Sequence, residues 1–91
     1  MMGRKFDSDF NGMLFIMNPG NHSFWMKGCE QSLDIIFIDG NKVTKVYENC
    51  PPCREDECKS YDGNGDMVLE LDGNSVSKYD IKIGDSVVIK N

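Results

Sequence analysis

Positive charge is scarce in this sequence and nowhere concentrated. Ten Lys and Arg stand against fifteen Asp and Glu, for a net charge of −5, and the longest basic run is Arg4-Lys5. A nucleic-acid surface needs clustered cations to displace counterions from phosphates, so this deficit argues against a nucleic-acid partner. Long apolar runs are missing too: nothing approaches the roughly 20 apolar residues that cross a bilayer. The opening Met1-Met2-Gly3-Arg4-Lys5-Phe6-Asp7 lacks the apolar stretch of an export signal. These absences lead us to expect no membrane partner and a cytoplasmic location by default. Histidine occurs once, as His22, so the chain cannot make an imidazole pair. No Ser/His/Asp arrangement is evident, and His22 reads as a strand residue beside a turn.

Apolar residues and cysteines are what the chain does have. Ninety-one residues suffice for one small core and not for two, so we read residues 1–91 as a single domain. A hydrophobic fraction of 40% with five Phe, three Tyr and one Trp argues against disorder. Four cysteines are many for this size. In an exported protein they read as disulfides with three possible pairings, and in the cytosol as free thiols or metal ligands.

The apolar pattern reads as strands. Met13 to Met17 forms a first strand that ends at the turn signal Asn18-Pro19-Gly20-Asn21. His22 to Lys27 forms a second. Leu33 to Asp39 carries Ile, Ile, Phe and Ile consecutively, as expected of a central strand covered on both faces. Asp39-Gly40-Asn41 is a hairpin signal, followed by a strand from Lys42 to Tyr47. From Glu48 to Asp66 two prolines, Gly63 and Gly65 break periodicity, so we expect a long loop there. Met67 to Leu71 returns to strand. A short helix near residues 74–80 is expected to face Val76, Tyr79 and Ile81 inward, before a last strand from Ser86 to Lys90. The expected fold is mostly β: a small antiparallel barrel or sandwich of about six strands with one short helix.

Several motifs carry chemistry. Cys50-Pro51-Pro52-Cys53 has the spacing of a redox dithiol, but a thioredoxin-like site needs a βαβ unit that this pattern does not offer. Cys29, Cys50, Cys53 and Cys58 supply the four soft ligands that zinc prefers, although matched ligand pairs are not evident. Structural disulfides are the third reading of the same residues. Asp62-Gly63-Asn64-Gly65-Asp66 presents alternate oxygens like the start of a calcium loop. Its sixth position is Met67 and its twelfth Gly73, so it reads as a polar turn. On an extended segment Trp25 and Lys27 share one face and Phe24 and Met26 the other. An aromatic plate beside an ammonium suits a small anionic ligand; the plainer reading, which we favour, pairs Lys27 with Asp34 or Glu70 across strands and has Trp25 cap the barrel.

The ordered motifs Met2-Gly3-Arg4, Phe24-Trp25-Met26-Lys27, Leu33 to Asp39, Pro51-Pro52-Cys53, Cys58 with Tyr61, Val68-Leu69-Glu70-Leu71 and Ile81 to Val87 resemble the DUF192 family over nearly the whole chain. The resemblance implies a compact, mostly β domain, often behind an export signal, with no established activity and no catalytic residues to carry over. Members usually carry a further strand before the segment matching Met2-Gly3-Arg4. A chain starting there is expected to leave a sheet edge open, and either to form a homodimer through it or to fold an N-terminal segment over it. Cys53 and Cys58 match the family's cysteines, whereas Cys29 and Cys50 are additions to its pattern. The resemblance therefore implies one bridge between Cys53 and Cys58 and a second between Cys29 and Cys50, adding about 2 and about 3 kcal/mol by the loop-entropy model.

The functional expectation is a non-enzymatic binding or accessory module for an unknown small ligand or protein, needing no cofactor. Its candidate surface is Trp25, Lys27, Asp34, Tyr61 and Glu70, beside the cysteine loop. The alternative is a zinc-binding or thiol-redox protein using the four cysteines, with zinc as its cofactor.

Overall fold

The computed structural model describes residues 3–6, 12–26, 29, 31–54 and 57–89. Six strands and a helix follow in chain order: β1 (Gly3–Phe6), β2 (Gly12–Phe24), β3 (Leu33–Asp39), β4 (Lys42–Cys50), β5 (Tyr61–Asp72), α1 (Ser75–Tyr79) and β6 (Ser86–Ile89). All six strands join one sheet in the order β1-β6-β4-β3-β5-β2, curled into a half-barrel. Its ladders are antiparallel except β1 with β6, which run parallel. The mostly β expectation holds, with β1 and β2 at the two edges.

β3 is central because every residue from Asp34 to Ile38 is buried, and only a strand covered on both faces can bury consecutive apolar side chains. It turns into β4 through Gly40 and Asn41, both at positive φ (56° and 65°), the conformation a tight hairpin needs and Gly and Asn tolerate.

Alternation along β3 divides the core in two. Ile36 and Ile38 pack with Val43, Leu69 and Leu71 on one face, which Val76 of α1, Ile81 and Val87 complete. Ile35 and Phe37 pack with Val68, Tyr61, Met26 and Cys50 on the other. The first face is closed by a helix and the second by connecting segments, so the second face carries the candidate site.

The expected strand boundaries change in two places. Met13–Met17 and His22–Phe24 belong to one long strand, β2, and the Asn18-Pro19 region is an irregularity within it. Ile16 opposes Met67 and Gly20 opposes Gly65, so β2 carries extra residues here, and proline needs no ladder partner for its nitrogen. The expected loop from Glu48 to Asp66 shrinks at both ends, because β4 reaches Cys50 and β5 begins at Tyr61. Gly63 and Gly65 are strand residues there: a side chain on Gly63 would overlap the Phe37 ring, and one on Gly65 the Ile38 carbonyl. Their glycines mark close packing rather than a turn. Of the helix residues expected inward, Val76 and Ile81 are buried, whereas Tyr79 is exposed.

Candidate ligand site beside the disulfide loop

A row of rings crosses the second face of the sheet. Phe15, Phe24, Phe37, Tyr47 and Tyr61 meet in sequence with centroids 5.5, 5.8, 6.2 and 5.2 Å apart, tilted or edge-to-face throughout. Such geometry sets ring edges against faces and stiffens the row beyond what area burial alone gives. The Tyr47 hydroxyl donates to the Asp62 carbonyl at 2.6 Å, fixing the start of β5. Tyr61 ends the row and is buried.

Beside Tyr61 lies a hollow of about 250 Å³. Met26 and Tyr61 form its apolar base, Pro51, Pro52 and Cys53 one wall, and Arg54, Glu57 and Lys59 bring charge. The prolines restrict the backbone of that wall. The Cys53–Cys58 disulfide closes the loop, with Cα atoms 5.9 Å apart, as the sequence reading expected. The Cys53 amide donates to the Met26 carbonyl at 3.3 Å, which holds the wall to the segment after β2. The Lys59 ammonium sits 5.4 Å from the Tyr61 ring centroid, a cation–π contact that keeps the charge over the base of the hollow.

Cys50 is buried in the same cluster as Met26 and Tyr61. Its thiol is hydrogen-bonded with the Tyr61 hydroxyl and also donates toward the Tyr47 carbonyl at 3.8 Å. Burial pushes the Cys50 thiol above its ordinary range, partly opposed by the Tyr61 hydrogen bond. Burial also raises Tyr61, with the neighbouring Cys50 adding to it. Both groups therefore stay protonated at neutral pH and serve as a packed, neutral pair. Cys29 and Cys50 are free thiols, so the second expected bridge is not formed in this structure. Cys50 is turned into the core toward Tyr61, while the Cys29 amide donates to the Met26 carbonyl at 3.2 Å, beside Cys53. Among the described residues no group of three or more His, Cys, Asp or Glu side chains is arranged to hold a metal ion. Two of the four sulfurs considered as zinc ligands are bonded to each other.

The candidate surface read from the sequence is dispersed. Tyr61 lines the hollow, Trp25 is 58% exposed after β2, and Lys27 lies outside the described residues. Asp34 has no exposed surface. Its Oδ1 accepts the Asn49 amide and its Oδ2 the Val76 amide, each at 2.7 Å, so it joins β3, β4 and α1 from within. This placement replaces its expected position on the surface. Glu70 lines a different hollow, with Gly12, Met13, Leu33, Leu71 and Asp72, and burial raises its carboxyl above the ordinary range. Arg54 and Lys59 were missed by sequence reasoning; their position beside the paired cysteines and Tyr61 was the available signal.

Two solved structures share this architecture. One, a protein of Sinorhizobium meliloti 1021 proposed to be a transcription regulator, is 29% identical over 82% of this chain, with a TM-score of 0.74. The other, a protein of unknown function from Novosphingobium aromaticivorans DSM 12444, is 30% identical over 92% of this chain, with a TM-score of 0.71. The chain spans 59% of the length of the first and 63% of the second. No curated protein matches the sequence. The family model of DUF192, described as an uncharacterized ACR, matches residues 1–89, and the chain belongs to that family.

Proposed function

We propose that this domain is a non-enzymatic binding module for a small organic anion, seated in the hollow beside the Cys53–Cys58 loop. The observation that carries this reading is the excess of cations, Arg54 and Lys59 against the single carboxylate of Glu57, beside an apolar base of Met26 and Tyr61. In a chain of net charge −5 such local cations stand out. A volume of about 250 Å³ falls below the roughly 300–1,000 Å³ of sites for drug-sized ligands. The occupant is therefore no larger than a single ring or a short chain bearing a carboxylate. A binding role is supported further by Tyr61, whose hydroxyl is occupied by Cys50 and held protonated, which suits a packing surface better than a proton-transfer group.

Benzoate and its neutral isostere benzamide test the reading by amide NMR titration of the whole chain. Benzoate is expected to shift the amides of Met26, Cys53, Lys59 and Tyr61 and to bind more tightly than benzamide. Lys59→Gln with Arg54→Gln is expected to weaken benzoate about tenfold, or ~1.4 kcal/mol, leaving benzamide unchanged. Equal binding of the two probes, or shifts confined to the surroundings of Glu70, would overturn the proposal.

A further inference from the structure

The Met26 carbonyl accepts two amides, from Cys29 at 3.2 Å and from Cys53 at 3.3 Å. Two residues whose amides donate to one carbonyl are near neighbours, and a disulfide between such residues requires Cα atoms within roughly 4.4–6.8 Å. Cys29 and Cys53 also pack against the same apolar cluster, which includes Met26. A free, half-buried cysteine thus shares its backbone anchor and its apolar cluster with one half of an existing disulfide. Exchange needs a thiolate close to a disulfide sulfur, a leaving thiolate and no further reagent.

We propose that Cys29, Cys53 and Cys58 form an internal thiol–disulfide exchange unit in which the bridge moves between Cys53–Cys58 and Cys29–Cys53. The Cys29 thiolate, having released its proton to solvent, attacks Cys53 Sγ. The Cys29–Cys53 bond forms as the Cys53–Cys58 bond breaks, and Cys58 leaves as a thiolate that takes a proton from solvent. One disulfide is present before and after, so no electrons are gained or lost.

Cys50 is nearer to Cys53 in sequence but is less suited to attack. It is buried and hydrogen-bonded with Tyr61, and its thiol is held protonated. Cys53–Cys58 closes a loop with a sequence separation of 5, whereas the alternative bridge ties the segment after β2 to the segment after β4. A bridge over a longer loop restricts the unfolded chain more, so loop entropy does not oppose the exchange.

Sulfur connectivity tests this independently of ligand binding, so its failure and that of the anion-site reading are distinguishable. Cleavage after Lys27, Lys42, Lys45, Arg54 and Lys59 places Cys29, Cys53 and Cys58 on three different peptides. The Cys50→Ser chain, purified without reductant, is incubated at about pH 8.5, near the ordinary thiol pKa. It is then quenched in acid, alkylated and mapped by mass spectrometry. A Cys29–Cys53 peptide pair is expected, with alkylation of Cys58 raised about tenfold or more over a Cys29→Ser, Cys50→Ser control. Should Cys50→Ser not fold, the parent chain is mapped in the same way, with fragmentation of the peptide containing Cys50 and Cys53 to assign the sulfur. Recovery of Cys53–Cys58 alone, with Cys29 alkylated throughout, overturns the proposal. A Cys29–Cys58 bridge without Cys29–Cys53 also overturns it.

Discussion

A fully buried carboxylate is costly unless its oxygens are engaged. Asp34 meets that requirement with two backbone amides, and both partners need it. Asn49 is in the left-handed region at φ 53°, away from regular strand conformation. Asn74, the N-cap residue of α1, makes no side-chain capping bond, and Asp34 reaches the Val76 amide from β3 instead. Removing the carboxylate leaves these amides without their acceptor, at a cost of about 3 kcal/mol for Asp34→Ala. That is a large part of the roughly 5–15 kcal/mol available to a domain. A urea midpoint for Asp34→Ala within the error of the parent's would show that the two hydrogen bonds contribute little. Glu70 is the opposite case. Burial raises its carboxyl, so the charged form opposes folding. Below the ordinary value of 4.5 the group is protonated in both folded and unfolded chains and its cost vanishes. As pH rises through 4.5 and then the folded-state value, stability is lost. Glu70→Gln is therefore expected to raise the melting temperature at pH 7 by a few degrees, with the gain disappearing below pH 4.5. An equal gain at both ends of that range would point to side-chain shape instead of charge.

At the scale of elements, β3 was legible because its pattern has one solution: consecutive apolar residues bounded by turn signals must be covered on both sides. Its hairpin to β4 was legible too, since Gly40 and Asn41 supply the positive φ that the turn demands. β5 was read short because glycine has two uses that a single sequence does not separate. Gly63 and Gly65 read as turn residues, yet they lie in a strand against Phe37 and the Ile38 backbone. Gly63→Ala is expected to displace the Phe37 ring and cost about 2 kcal/mol, typical of overpacking. Near-ultraviolet circular dichroism and urea unfolding measure the two effects, and an unchanged spectrum with unchanged stability would sink the packing account. β2 was divided at Asn18-Pro19 for a related reason. A proline-glycine cluster also fits a strand irregularity at a sheet edge, where an absent amide hydrogen need not break a ladder.

At the scale of the whole molecule, the sheet is one layer with two dissimilar coverings. Val76 of α1 and Ile81 close one face, where apolar packing leaves little room for chemistry. The connections after β2 and β4 close the other, bringing Met26, Cys53 and Tyr61 to one hollow. The candidate surface read from the sequence sets Asp34 and Glu70 together with Trp25, Lys27 and Tyr61. Alternation then sends Asp34 and Glu70 to opposite faces: Asp34 opposes Leu71, whereas Glu70 opposes Ile35, one residue further along β3. Among the described residues no helix is long and apolar enough to cross a membrane.

By itself the sequence determined the family, the mostly β class, the central strand and the Cys53–Cys58 bridge, because apolar runs, turn residues and ordered motifs act locally or are read in chain order. It takes the folded chain to make Asp34 an internal clamp, to set Arg54 and Lys59 beside Tyr61, and to bring Cys29 and Cys53 to the Met26 carbonyl. The reason is separation along the chain. These contacts join distant segments, and strand alternation and loop closure set which side chains meet there.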